Sequence, residues 1–443
     1  MENELAVLLN EYSRAAMREK LDGMNEVDIA AELEELDEQD AVKVFRMLTK
    51  DTAAGVFSYL DADTQQSIIE AITDREIGRI IDELFLDDAV DFIEEMPASV
   101  VKRVLANATR DRREMINHFL QYPEDSVGSI MTIEYVDLKS NMTVADAFDR
   151  IRSKGTKKET IYTCYVTDNK RRLIGLVTAR SLFLSSEDSL INDIMESNIM
   201  FARTHDDQEE LINNFRKYGY LAIPVVDSEE RLVGIVTFDD ALTVQEEEAT
   251  EDFEKMAAML PSEEPYLKTN ILSMAKNRLP WLLLLNLSVF LTGAILTSYE
   301  PMVAVLPVLA IFIPLLMDTS GDAGSQSSTL VIRGMALDEI KMTDFFRVLM
   351  KELRVALICG GVLAIVNCAR VVIFGYDFNM AVTVSLALMM AVVFSKILGG
   401  LLPLGAKIVK IDPAVMAGPV LTTIVDAASL VVYFSIAKIL LHV

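Results

Sequence analysis

The sequence predicts a multidomain chain: an all-α helical stack at the amino end, a duplicated α/β unit in the middle, and a five-helix transmembrane domain at the carboxyl end. Three observations predict it. Short amphipathic patterns fill the first 122 residues, one strand-turn-strand segment returns after 59 residues, and the last third holds five apolar runs of spanning length. The expected divisions are 1–122, 123–245, an acidic connecting segment with a helix over 246–277, and 278–443.

In the first division apolar residues recur at helical spacing, and Asp or Thr often stands where an N-cap is wanted. The pattern predicts a compact right-handed stack of short helices, an interaction scaffold with solvated carboxylates.

In the second, "VTDNKRRLIGLVT" (166–178) and "VVDSEERLVGIVT" (225–237) are identical at seven of thirteen positions. β-Branched alternation makes each copy strand, turn and strand, preceded by an "IM" pair, Ile130-Met131 or Ile194-Met195. These residues resemble a tandem pair of CBS domains. Such modules often hold an adenosine ribose through Gly-x-x-Thr-x-x-Asp, which the second copy keeps as Gly234, Thr237 and Asp240, whereas the first has Ser181 in place of Asp. The resemblance makes an adenine nucleotide a candidate partner at Thr237 and Asp240. Capping the following helix is the structural alternative for Asp240.

The connecting segment begins acidic, with Glu248, Glu251 and Asp252, and ends basic and amphipathic. Pro261 and Pro265 break it, so 266–277 is expected as a separate plug-like helix lying on the lipid surface, anchored by Lys276, Arg278 and Trp281.

The five apolar runs are 279–298, 301–332, 355–376, 378–406 and 413–441, interrupted by Asp318 and Asp322, by Arg370 and by Lys396. Without an early apolar segment of signal-peptide type, the first half is expected in the cytosol. Basic residues after the second and fourth runs agree with that orientation, which places the carboxyl end outside. In "DPAVMAGPVLTTIVDAASLVVYF" (412–434) one carboxylate stands in an uncharged run. A helix through it puts Asp426 roughly 20 Å in from Pro413, where a charge costs about 2.5–3.5 kcal/mol unless something binds it. Thr422, Thr423 and Ser429 lie within a turn of it and extend a polar strip, and Pro419 is expected to loosen the helix nearby.

Over nearly its whole length the chain resembles the MgtE-type magnesium channels, whose glycine-rich membrane motif has its counterpart in Ser320-Gly321-Asp322-Ala323-Gly324-Ser325-Gln326 and "SSTLVIRG". Asp322 replaces an Asn there and Ser320 a Gly. The resemblance implies a plasma-membrane (inner-membrane) homodimer with hydrated Mg²⁺ as substrate, Asp426 lining the pore on the twofold axis and Asp412 at its cytoplasmic mouth. It also implies Mg²⁺ as regulator, bridging Asp88, Asp91, Asp207, Glu209, Asp240, Glu248, Glu251 and Asp252 and closing the channel. Gly219 and Thr243 stand where related sequences often carry acids.

Charge narrows the function classes. Of 41 Lys and Arg and 67 Asp and Glu, 29 and 57 stand in the first 274 residues, a net charge of −28, and 12 and 10 in the rest. Such a surface repels nucleic acid and attracts cations. The alternatives are the same fold carrying Co²⁺ or Zn²⁺, or a metal or nucleotide sensor that conducts nothing; no His or Cys lies near Asp426, and oxygen ligands favour the harder ion. An enzyme is not expected, since the chain has no P-loop, triad pattern or metal-hydrolase spacing. Cys164, Cys359 and Cys368 have no metal-ligand spacing and read as buried thiols.

Overall fold

The computed structural model describes residues 5, 14–262, 266, 267 and 269–442. The chain forms two compact units, Met1–Val244 and Gln245–Val443.

The first unit opens with α1 (Arg14–Leu21), α2 (Glu26–Glu34), α3 (Glu38–Phe45), α4 (Lys50–Ser58), α5 (Ala62–Ala71), α6 (Asp74–Glu83), α7 (Leu86–Glu95), α8 (Ala98–Asn107) and α9 (Arg110–Phe119). From α2 on, the N-caps are Asn25, Asp37, Thr49, Asp61, Thr73, Phe85, Pro97 and Thr109, one every twelve residues. Six of these eight caps are polar and can satisfy helix-end N–H groups, while Phe85 and Pro97 hold the other two positions, so the helices stop and restart on schedule. From α2 to α8, helices pack against their next-but-one neighbours, which makes a stack with a continuous apolar interior.

The second part of this unit holds β1 (Asp137–Lys139), α10 (Val144–Lys154), β2 (Thr163–Thr167), β3 (Leu173–Thr178), α11 (Ala179–Leu184), α12 (Ile191–Ile194), β4 (Ala202–Arg203), α13 (Gln208–Tyr218), β5 (Ala222–Val226) and β6 (Leu232–Thr237). Its two sheets have orders β1-β2-β3 and β4-β5-β6, each with one parallel and one antiparallel pairing. The duplication extends to the backbone: Thr163 pairs Thr178 as Ala222 pairs Thr237, and Arg171 and Glu230 hold φ of 65° and 62° at equivalent turn positions. The two "IM" pairs are exchanged. Met131 packs on Gly234 of the second copy and Met195 on Gly175 of the first, where an added Cβ would come within 2.8 Å of sulfur. Val127, Met131, Phe215 and Val236 join the same core as the helical stack, so the pattern change near residue 122 is not a break in packing. Cys164 is buried; Cys359 and Cys368 are only half-buried.

After α14 (Phe238–Met256), the second unit contains α15 (Ile271–Ser298), α16 (Glu300–Val305), α17 (Leu309–Ala336), α18 (Phe345–Ile373), α19 (Phe378–Ile408) and α20 (Pro419–Leu441). Among the described residues, four segments are long and apolar enough to cross a membrane; α17 is as long as α15 but carries Asp318 and Asp322. Three expectations change. The helix expected over 266–277 is not separate: α15 starts after the Asn270 cap and continues unbroken through Pro280, while Pro265 lies outside the described residues. The run 301–332 is two helices, parted at Leu306–Val308. The run 413–441 is a short 3-10 turn, Ala414–Met416, followed by α20, so Pro419 starts the helix and does not loosen it. Glycine sets the tightest helix contact, where a Cβ on Gly399 of α19 would overlap the Gly324 carbonyl of α17.

Candidate ion pathway and regulatory sites

With α20 beginning at Pro419, Asp426 is its eighth residue, about 10 Å along the helix and not 20 Å. Its carboxylate is partly exposed, and the charge that acts on it is that of Asp318 on α17. Asp318, Asp322 and Gln326, at steps of four, are all exposed on one side of α17. Thr422 and Thr423 are partly exposed; the Thr422 hydroxyl donates to the Gly418 carbonyl at 3.3 Å. Ser429 turns inward: it is 1% exposed and donates to Ser320 Oγ at 2.8 Å, so it belongs to the α17–α20 contact and not to a strip with Asp426. Ser395 donates to the Ser320 carbonyl, which ties α19 into the same seam. Sequence reasoning missed buried Lys396 as a structural group: its Nζ lies 3.3 Å from both the Ala323 carbonyl and Gln326 Oε1.

Asp412 organises the approach to α20. Its Oδ1 accepts from Ala414 N at 2.8 Å, which shapes the 3-10 turn, and its Oδ2 accepts from Lys255 Nζ at 2.7 Å. Lys255 also contacts Glu251 at 2.6 Å. Burial pulls the Lys255 amine down, but the carboxylates outweigh it and hold its pKa above the ordinary value. Asp252, beside them, is pushed up to about 6 by burial and then by the Asp412 charge. The acids Glu251, Asp252 and Asp412 are thus brought together, around a lysine the sequence reading did not single out.

A second acid cluster lies in the first unit. Asp87, Asp88 and Asp91 on α7 act on one another and on Asp240, Glu134 and Glu159. Asp87 is 7% exposed and its Oδ1 has no hydrogen-bond partner; burial and its acidic neighbours raise its pKa well above the carboxylate range. The same causes push Asp88 to about 7 and Glu159 to about 8. Asp91 opens to solvent, which screens it, so Asp87 and Asp88 define the site. The nearest relief is Arg112, paired with Glu134 at 3.6 Å and donating to the carbonyls of Ile81, Leu84 and Phe85. Of these acids the sequence alone points to Asp88, Asp91 and Asp240; nothing in its pattern points to Asp87, Glu134 or Glu159.

The other named residues have local roles. Asp207 is the N-cap of α13 and accepts from Glu209 N at 2.8 Å. Gly219 ends that helix at φ 66°, where an acid would be strained. Thr237 donates to the Asp240 carboxylate, and in the first copy Thr178 and Ser181 make the matching contact at 3.0 Å, so serine serves this turn as aspartate does. Among the described residues no three His, Cys, Asp or Glu side chains converge closely enough to enclose a metal by themselves.

Residues 313–436 match the family described as divalent cation transporter, 24–125 match the MgtE intracellular N domain, and 127–187 and 191–247 match the CBS domain. The magnesium transporter MgtE of Thermus thermophilus is 34% identical over 452 residues, covering 100% of both chains; that of Bacillus subtilis is 28% identical, covering 99% of this chain and 97% of the other. Among solved structures, the cytosolic domain of the Mg²⁺ channel MgtE in complex with ATP is 34% identical with a TM-score of 0.52, covering 54% of this chain and 98% of that one. The soluble part of a magnesium transporter is 28% identical with a TM-score of 0.53, covering 56% and 99%. With a full-length relative at this identity and all its parts matched in order, the chain belongs to the MgtE family of magnesium transporters.

Proposed function

We propose that two copies of this chain enclose a pore for hydrated Mg²⁺, that Asp426 of each copy holds the passing ion, and that cytosolic Mg²⁺ closes the pore. The polar face of α17 carries this reading. Asp318, Asp322 and Gln326 are exposed along one side of a helix in the membrane unit, next to Asp426. Hydrocarbon cannot solvate such a face, so protein and water must cover it. A second copy does both, burying the helices while leaving an aqueous path between them.

Mg²⁺ holds its waters tightly and takes octahedral oxygen at about 2.0–2.1 Å. Carboxylates and hydroxyls that touch the water shell suit it better than ligands that must displace water. Asp426, Thr422 and Thr423 supply such groups, and Asp412 extends them to the cytoplasmic mouth. All are oxygen donors, which favours Mg²⁺ over Co²⁺ or Zn²⁺.

For closure, the cluster around Asp87, Asp88 and Asp240 is one regulatory site and Glu248, Glu251, Asp252 and Asp412 a second, with Asp207 and Glu209 as further candidates. Each set stores carboxylate repulsion that a hydrated dication relieves, so binding favours whichever arrangement brings the acids together. An adenine nucleotide at Thr237 and Asp240 is the weaker reading, because Asp88, Glu134 and Glu159 would oppose its phosphates.

The test is Mg²⁺ influx into proteoliposomes whose internal Mg²⁺ is clamped. Influx should fall as internal Mg²⁺ rises. Influx absent at every internal concentration would remove the pore, and influx indifferent to internal Mg²⁺ would remove the closure.

A further inference from the structure

A cavity of about 370 Å³ beside the first sheet is lined by Tyr135, Asp137, Arg150, Lys154, Lys158 and Arg171, among others. Four cations and one carboxylate on its wall are unexpected in the half of the chain where acids outnumber bases 57 to 29. The carboxylate is already committed, since Arg150 donates to both the carbonyl and the carboxylate of Asp137. Among the described residues no carboxylate forms an ion pair with Lys154, Lys158 or Arg171. Lys158 reaches the Ile133 carbonyl at a long 3.4 Å and stands 6.0 Å over the Tyr135 ring.

The turn that carries Arg171 does not require arginine. Asp168 accepts from Lys170 N and Arg172 N at 2.7 and 2.8 Å, and Asp227 makes the same two contacts with Glu229 N and Arg231 N. The second copy holds Glu230 at the same positive φ, so the geometry is kept while the charge is reversed. Like charges collected on one wall repel unless an anion comes between them. Burial also pulls the Lys158 amine below its ordinary value, because the charges of Glu134 and Asp137 offset it only in part and Lys154 adds to it, a cost that a bound anion would reduce further.

We propose that this cavity binds a phosphate-bearing anion, with Arg171 and Lys158 as its principal ligands and Lys154 at the rim. Guanidinium and ammonium donors around one pocket suit phosphate oxygens, and the volume admits a small ligand. An adjoining cavity of about 490 Å³ shares Ile133 and Arg171 and is lined by His118, Phe119 and Tyr122, so an organic group attached to the phosphate has an aromatic place to lie. The site is separate from the Thr237 and Asp240 signature and does not depend on the pore reading.

The full-length protein in detergent, free of Mg²⁺, is titrated with pyrophosphate and, separately, with ADP. At least one should bind, more weakly as salt rises, and Lys158→Gln with Arg171→Gln should weaken binding about tenfold or more. Lys154→Gln, on an exposed position of α10, gives a smaller loss without risk to folding; Thr237→Val should change nothing. Tighter binding of ADP than of pyrophosphate marks a nucleoside phosphate as the ligand class, and equal binding marks the phosphate group alone. Neither probe binding at millimolar concentration, or ADP binding that is lost in Thr237→Val and kept in the double variant, overturns the proposal.

Discussion

Lys255 Nζ sits between two carboxylates from distant parts of the chain, 2.6 Å from Glu251 and 2.7 Å from Asp412. The ammonium stands where a bridging dication would be sought, and it joins the end of α14 to the turn that leads into α20. Lys255→Met leaves Glu251, Asp252 and Asp412 facing one another without a cation. Protease protection of 257–262 should then depend strictly on Mg²⁺, whereas the wild type keeps part of its protection in chelator. Equal protection of the two proteins in chelator would show that the lysine bridge contributes nothing. Exposed ion pairs are worth about 0–1 kcal/mol, so the shift should be partial and larger at low salt.

Asp426→Asn keeps an acceptor but loses the charge that attracts a dication. Mg²⁺ influx into proteoliposomes should fall by about tenfold or more, with thermal stability unchanged. Wild-type influx in this variant would take Asp426 out of the pathway.

Neutralising Glu248, Glu251 and Asp252 to Gln, Gln and Asn removes one regulatory set and leaves the pore alone. Basal influx should persist, and the Mg²⁺ concentration that closes the channel should rise by about threefold to tenfold, as expected if several sites share the work. Closing at the wild-type concentration would leave these acids with solubility as their role.

The first acid cluster predicts a pH effect. Asp87, Asp88 and Glu159 have folded-state pKa values raised above their unfolded ones, to about 7 for Asp88 and about 8 for Glu159. The folded unit therefore holds more protons than the unfolded chain, and Mg²⁺-free stability should fall as pH rises from about 5 to about 8. Mg²⁺ should cancel most of that fall, and Asp88→Asn should flatten it. A melting temperature that rises with pH over this window in chelator contradicts the cluster.

At the helix seam, Gly399→Ala forces a methyl group into the Gly324 carbonyl. Overpacking of this kind costs about 1–3 kcal/mol, so the membrane unit should melt earlier. Gly361→Ala, where an added Cβ meets nothing within 4 Å, is the control and should not.

Most of the architecture was legible because it rests on local pattern. The duplicated hairpin, most of the apolar runs and the six polar caps are short-range signals that the structure keeps, whereas the run 301–332 is split and the last helix begins only at Pro419. Prolines were harder: Pro280, Pro314 and Pro403 lie inside helices, while a break falls around Pro307, and what decides is whether neighbours satisfy the freed carbonyl. The twelve-residue rhythm of caps was obscured because Phe85 and Pro97 hold two of its positions. Lys255 and Glu159 joined the sites unannounced, since pairing across long stretches of chain leaves no period to read.

The exchanged methionines bear on the order of synthesis. Met131 waits for Gly234, and Thr132 pairs with Ile235 through hydrogen bonds of 2.8 Å in both directions, so the segment that opens the first copy stays unpaired until β6, about a hundred residues later, has been made. Such distant pairing is slow, because the chain must be gathered before the contact rewards it. Translation therefore reaches the end of β6 before the first unit can lock. On the ribosome, α14 follows β6 directly and α15, the first long apolar helix, comes after it, so the first unit can complete its fold shortly before that helix is made.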